Sequence, residues 1–325
     1  MRPTDGTDER AAFEARVATH RAGLRGYCYR MLGSLQDAED AVQETLLAAW
    51  RARDTFEGRA SWRSWLTAIA HNCCLAIIDR RGRRVLAFDR SPASEGVELE
   101  PVVGEPVWIE PFPDEALQHR ESVELAFVAA LQRLSATQRA ALILREVLGY
   151  DAAETAEILG GSVAAVNSAL QRARANLAAK LPEESQARAL LALGDVGQQA
   201  LVSRFVRAWE ARDVPALVSL LAADVRFAMP PIPSWFEGRD AVVRFFAERI
   251  FATPWRLVPL RVSGQLAFAC YQGPAFHLGA LAVVTVRGGL VSELTGFLDP
   301  AVHAFFDLSR VAPDEFSKVA PSEEA

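Results

Sequence analysis

The sequence has no run near ~18 consecutive uncharged apolar residues, so no transmembrane helix is expected. The first ten residues, Met1 to Arg10, are polar and charged, without the apolar centre of a secretory signal. A cytoplasmic protein without a membrane role is therefore expected. Cysteine is scarce: Cys28, Cys73, Cys74 and Cys270 form no C-x-x-C pair. They share no metal-ligand spacing with the five histidines, so the thiols read as reduced and buried, and no metal or cofactor is expected. Lysine is nearly absent, so an arginine at any one place carries little information by itself. No internal repeat is visible.

What is present is apolar material for packed cores. Half of the 325 residues are hydrophobic and 23% are charged, which excludes a largely disordered chain. At roughly 100–200 residues per domain, the length implies two or three domains. The formal net charge of −6 is unevenly spread. Residues 1–90 hold 15 arginines against 12 acids, whereas 91–120 hold one arginine against seven acids. A basic front is thus followed by an acidic connector, and a whole-chain average would mislead about nucleic-acid binding. The connector, Ser91 to Asp114, contains Pro92, Pro101, Pro106, Pro111 and Pro113 and has neither helical nor strand period. It reads as flexible and partly extended.

The front is helical throughout. One or two helices are expected over Glu9–Leu32. Ser34 caps the next, with Ser34-Leu35-Gln36-Asp37 read as a capping box, and Val42, Leu46, Ala49 and Trp50 give an apolar face. A third helix is expected from about Ser61 to Arg81. After the connector, three helices follow closely, capped by Ser135, Asp151 (with Glu154) and Ser162. The turn Gly160-Gly161 between the last two is a helix-turn-helix signature, whose second helix enters the major groove. On that helix Asn167, Gln171 and Arg174 form one polar row beside Ser168 and Arg172. Amides suit adenine and guanidinium suits guanine; a plain helical hairpin with a solvated face is the alternative.

Two further stretches carry chemistry. Trp62, Arg63, Trp65 and Asn72 precede the basic cluster Arg80-Arg81-Gly82-Arg83-Arg84. Aromatics among arginines suit unpaired bases and phosphates, although two tryptophans at spacing three also fit one buried face. Asp37, Asp40 and Glu44 form an acidic stripe, either a solvated face or a docking surface for a basic partner. Beyond Pro182 come helices at about 197–212 and 214–222. Strands follow at Val225–Met229, Arg256–Val262, Leu266–Tyr271, Phe276–Val286 and Leu290–Leu298, with a helix at Asp240–Ile250. This reads as an α+β domain with a curved antiparallel sheet. Met229-Pro-Pro-Ile-Pro-Ser-Trp-Phe236 is read as a stiff pocket lip or docking edge.

Together, Asp37-Ala-Glu-Asp-Ala-Val-Gln-Glu-Thr-Leu-Leu-Ala-Ala-Trp50 and Phe56-Glu-Gly-Arg-Ala-Ser-Trp-Arg-Ser-Trp-Leu-Thr-Ala-Ile-Ala-His-Asn72 resemble region 2 of an extracytoplasmic-function sigma factor. Leu134-Ser-Ala-Thr-Gln-Arg-Ala-Ala-Leu142 and Ser162-Val-Ala-Ala-Val-Asn-Ser-Ala-Leu-Gln-Arg-Ala-Arg174 resemble region 4. Residues of about 197–310 resemble a SnoaL-like domain, on Phe205–Asp213, Trp235–Val242 and Gly289–Asp299.

The resemblance implies a multidomain fold. Region 2 is expected at 10–88, an acidic linker at 89–117, region 4 at 118–182, a cone-shaped SnoaL-like domain at 195–312 and a polar tail at 313–325. It implies core RNA polymerase (beta-prime and beta subunits) and promoter DNA as partners. Asp37, Asp40, Gln43, Glu44, Leu47 and Trp50 would meet polymerase; Trp62, Arg63, Trp65, Asn72, Arg80 and Arg81 the minus-ten element; and Ser162, Asn167, Ser168, Gln171, Arg172 and Arg174 the minus-thirty-five element. The linker would thread near the RNA exit path. The C-terminal domain would act as a built-in regulator, by intramolecular contact or a small-molecule ligand. No catalysis is expected. For the rival reading of a cyclase or isomerase fused to a DNA-binding front, His277, Glu293, Asp299 and Tyr271 are the candidate acids and bases. The other rival is a ligand-responsive DNA-binding regulator that does not use polymerase.

Overall fold

Capping serines and left-handed glycines set the helical half of the protein. A computed structural model describes residues 5–58, 60–102, 107–114, 124–178, 180–310 and 312. The chain forms two units: residues 1–86 with 105–183, and residues 87–104 with 184–325. The expected tail at 313–325 lies outside the described residues.

In the first unit, α1 (Asp5–Leu32) stops at Gly33, whose φ of 70° suits glycine. Ser34 accepts from the Asp37 amide and opens α2 (Leu35–Ala52). Ser61 does the same for α3 (Trp62–Arg81), which ends at Gly82. The expected capping box at Ser34 is corrected. Asp37 turns inward to Arg81 and Arg84, and the anion at the α2 N-terminus is Glu110, 75 residues downstream. Ala38, Ala41, Val42, Thr45 and Ala49 form the buried stripe of α2, against Tyr27, Cys28 and Met31 of α1 and Leu66, Ala70 and Cys74 of α3. Each fully buried side chain of Leu or Met size contributes about 1.5–3 kcal/mol.

The flexible connector is also corrected. Residues 107–113 run extended along the first three helices: Val85 and Trp108 form a parallel bridge, and the Glu110 amide donates to the Gly33 carbonyl. Phe112 is fully buried against Tyr29, 4.5 Å between ring centres. The same unit then forms α4 (Leu125–Gln132), α5 (Ala136–Leu142) continued by a π turn at Ile143–Val147, α6 (Ala152–Ile158) and α7 (Val163–Ala178). Asp151 and Glu154 complete a reciprocal capping box at α6.

In the second unit, α8 (Gln186–Glu210) is broken at Gly194 (φ 66°, ψ 168°) and leads into α9 (Val214–Leu220). Six strands follow, β1 (Leu221–Ala228), β2 (Trp235–Glu237), β3 (Trp255–Val262), β4 (Gln265–Gln272), β5 (His277–Arg287) and β6 (Leu290–Phe297), with α10 (Arg239–Glu248) after β2 and α11 (Pro300–His303) last. The sheet order is β2-β1-β6-β5-β4-β3. The purely antiparallel expectation is corrected: β1 and β6 pair in parallel, Phe227 opposite Leu294, so the sheet is mixed. Alternation along β4 sends Leu266, Phe268 and Cys270 into the main core and Ala269 and Tyr271 to the opposite face.

The first part of the connector belongs to this unit. Ser94 donates its amide to the Trp235 carbonyl (2.7 Å), and the Trp235 indole donates to the Ser91 carbonyl (2.8 Å). Ser234 accepts from the Glu100 amide, Arg244 donates to the Glu95 carbonyl, and Val97 and Leu99 join the core. Within the stretch Met229–Phe236, Ser234 and Trp235 thus hold the connector.

Candidate polymerase and nucleic-acid surfaces

On α2 the expected polymerase surface divides. Asp40, Gln43 and Glu44 are exposed, and Leu47 is an apolar side chain 57% exposed among them. Asp37 is corrected from this set: it is 2% exposed and bonded to Arg84 (2.6 Å) and Arg81. Trp50 is half-buried, with Phe13 at 5.1 Å and Arg53 over its ring.

On α3, Trp62 and Trp65 share a ring cluster with Phe56, 4.9–5.1 Å apart, and Arg16 lies over Trp62. Both tryptophans are half-buried, so each keeps an open part. Asn72 is exposed, and its side chain makes no hydrogen bond to the described residues. Its neighbour His71 is buried against the Tyr27 hydroxyl (2.9 Å), and burial drives its pKa down to about 4. Arg63 lies over the Tyr150 ring at 4.1 Å and donates to the Leu148 carbonyl (2.5 Å). Thr67, one turn along, meets the Tyr150 hydroxyl at 2.8 Å. Of the residues expected at the minus-ten element, Arg63 is therefore engaged by the turn 148–150 of the second helical region.

The basic cluster has two faces. Arg80 and Arg83 are exposed, and Arg81 reaches back to Asp37. Arg84 is 5% exposed, held by Asp37, the Trp108 carbonyl (3.0 Å) and Glu110 (3.3 Å). Glu110 accepts from Leu35 N (2.7 Å) and Ser34 Oγ (3.0 Å). Burial raises its pKa, and Arg84 and these donors oppose the rise.

On α7 the buried face is Val166, Ala169, Leu170, Ala173 and Leu177. Ser162, Asn167, Gln171, Arg172 and Arg174 are exposed and Ser168 is half-buried, so the expected polar row faces outward. Ser162 Oγ accepts from the Ala165 amide, Arg172 bonds Ser168 (2.9 Å), and Arg174 bonds Glu146 on the preceding turn (2.5 Å).

The four candidate acids and bases of the C-terminal unit do not converge. His277 is exposed, Glu293 pairs with Arg226, and Asp299 caps α11 at Ala301 N. Tyr271 lies on the opposite face of the sheet from the main core. Among the described residues of this unit no carboxylate is buried. The core is filled by rings: Phe236 and Phe245 lie 4.1 Å apart, Phe227 and Phe246 4.9 Å, Phe205 and Phe268 5.1 Å.

Sequence reasoning assigned no role to Tyr150, Glu110 or Arg139. Trp235, beside three prolines, lay in a stretch flagged for docking. No described helix is long and apolar enough to cross a membrane.

Comparison with known proteins agrees with this division. Residues 16–84 match the Sigma-70 region 2 family, 124–177 Sigma-70 region 4, and 202–294 the SnoaL-like domain family. The chain is 41% identical over 320 residues to the ECF RNA polymerase sigma factor SigG of Mycobacterium tuberculosis, covering 93% of this chain and 85% of that one. It is 33% identical over 302 residues to SigJ of the same organism, covering 86% and 89%. The crystal structure of M. tuberculosis SigJ shares the fold, with TM-score 0.58 and 23% identity over 91% of this chain and 99% of that one. The chain therefore belongs to the ECF RNA polymerase sigma factors, which direct transcription initiation, and to their SigG- and SigJ-like members that carry a SnoaL-like domain behind sigma-70 regions 2 and 4.

Proposed function

We propose that the SnoaL-like domain is a built-in regulator of this sigma factor and acts through the connector. The observation that carries this reading is the strap 87–102, held by Trp235, Ser234 and Arg244 of the domain. A tethered element meets its target at roughly millimolar effective concentration, so a handful of hydrogen bonds suffices. The strap joins directly to residue 86 at the end of region 2, so its hold biases how region 2 presents itself. In this reading the α2 surface of Asp40, Gln43, Glu44 and Leu47 docks on core polymerase. Trp62, Arg63, Trp65 and Asn72 capture melted minus-ten DNA, with stacking and amide bonds offsetting a few kcal/mol of unstacking. The outward row of α7 reads the minus-thirty-five element. The packing of Tyr150 on Arg63 and Thr67 is the resting form, and it opens when promoter DNA is bound.

The test is transcription in vitro with core polymerase, comparing the full chain with Trp235→Ala. Releasing the strap is expected to change transcript yield at least about threefold, with core binding unchanged; the direction gives the sign of regulation. Equal yields from the two would sink the reading.

One observation favours a second reading, ligand sensing. The Trp209 indole N–H is buried at 5% exposure inside the aromatic core, without a hydrogen-bond partner among the described residues. An apolar ligand with one carbonyl would satisfy it. Quenching of tryptophan fluorescence by a panel of aromatic ketones, lost in Trp209→Phe, is the expected signature.

A further inference from the structure

A cavity of about 140 Å³ lies where the end of α3 and the start of α2 meet α4 and α5. Leu32, Ile77 and Ile78 form its apolar side. The rest of the wall is Gly82 and the polar side chains of Arg81, Arg83, Arg84, Arg139, Gln132 and Asp37. Four guanidinium groups thus face one carboxylate. Asp37 is already shared by Arg81 and Arg84, and Glu110 behind it is shared by Arg84 and the α2 amides.

Two of the four cations have no carboxylate partner among the described residues. Arg139 is 4% exposed, and all its bonds go to neutral oxygens: the carbonyls of Met31, Leu131, Gln132 and Leu134, and Gln132 Oε1. These bonds satisfy its geometry and leave its charge uncompensated, which is costly in a buried position. Burial and the Arg83 charge both lower its pKa, to about 10. Arg83, exposed at the rim, has no ion pair with a described residue.

We propose that this cavity is a binding site for a small multivalent oxyanion of the phosphate class, whether free or at the end of a nucleotide. Arg83 and the free edge of Arg81 supply forked donors matched to phosphoryl oxygens. Arg139, its donors already used, supplies field from below. The volume takes a phosphoryl group with a few waters, each needing about 30 Å³. Because region 2 and region 4 both supply walls, occupancy favours their contact. The site stands independently of any role for the SnoaL-like domain.

The experiment uses the full chain, with thermal unfolding and calorimetry in sodium pyrophosphate, in sodium phosphate and in sodium chloride at matched ionic strength. The Tm of the region 2 and 4 unit is expected to rise with the logarithm of pyrophosphate concentration, beyond the chloride control. Arg83→Ala should weaken pyrophosphate binding at least tenfold and leave the Tm in the chloride control unchanged. Arg188→Ala, an exposed arginine of the other unit with the same change in charge, should bind as the parent does. ATP matching or exceeding pyrophosphate would assign the natural source to a nucleotide; pyrophosphate or phosphate binding more tightly than ATP would assign it to the free anion. Equal shifts in chloride, equal binding by Arg83→Ala, or equal losses in both arginine variants would overturn the site. So would stoichiometric displacement of pyrophosphate by a promoter-free DNA duplex, which would reassign these arginines to backbone contact.

Discussion

The two units are held together by different chemistry. The region 2 and 4 unit buries Arg30, Asp37, Arg84, Glu110 and Arg139. The SnoaL-like unit buries no arginine, aspartate or glutamate among its described residues, and its core is a mass of phenylalanine and tryptophan. A buried ionic contact that loses one partner is penalised heavily. Apolar contacts are tolerant of exchange but sensitive to lost volume. The unit expected to change partners during initiation is the one with directional contacts. The unit that holds the strap is the one packed like an ordinary core.

Substitutions sharpen that contrast. The largest effects come from either core. Asp37→Ala leaves Arg84 short of a partner and is expected to destabilise its unit by about 3–5 kcal/mol. Replacing Asp37, Arg84 and Glu110 together by Leu, Met and Leu should recover at least half of that. Phe246→Ala should destabilise the SnoaL-like unit by about 3–5 kcal/mol. Urea unfolding followed separately for each unit checks all three. If the apolar triple variant recovered nothing, the ionic cluster would be more than a replaceable contact and the contrast would break.

The next effect is a pH dependence confined to the first unit. His71 has a folded pKa of about 4, below its ordinary 6.5, because burial disfavours the cation. The unfolded chain therefore takes up a proton first as pH falls. Stability is full above pH about 6.5 and falls by up to roughly 3 kcal/mol on the way to pH 4. His71→Gln should flatten that part of the profile. The smallest effect concerns the contact between regions. Tyr150→Phe removes the hydrogen bond to Thr67, worth about 0.5–1.5 kcal/mol. Promoter affinity measured by fluorescence anisotropy should rise two- to tenfold, and unchanged affinity would mean that this contact does not restrain DNA binding.

Much of the helical half was legible because its signals are local. Ser34, Ser61, Ser135 and Asp151 cap within three residues of themselves, and Gly33, Gly82 and Gly149 end what they follow. The outward row Asn167, Gln171 and Arg174 followed from helical spacing alone. What was missed depends on partners far along the chain. The burial of Asp37 requires Arg84, 47 positions away, and the parallel pairing of β1 joins Arg226 to Glu293, 67 positions away. The start of α8 at Gln186 was hidden by Gly194, which reads as a helix end although a helical segment lies on each side. The connector's prolines excluded regular structure correctly, but irregular backbone is not free backbone once Trp235 and Gly33 supply hydrogen-bond partners.

One consequence follows from the way the SnoaL-like unit is assembled from two stretches, 87–104 and 184–325, with region 4 between them. A ribosome adds about 5–20 residues per second, so the second stretch takes roughly 7 to 30 seconds to complete. Through that interval Phe88, Val97 and Leu99 have been made but the fold they join has not. Each new molecule thus passes through a short life in which its DNA-reading helices precede the strap's anchor. A premature stop after region 4 would fix that stage permanently, leaving three apolar side chains unpartnered as well as removing a domain.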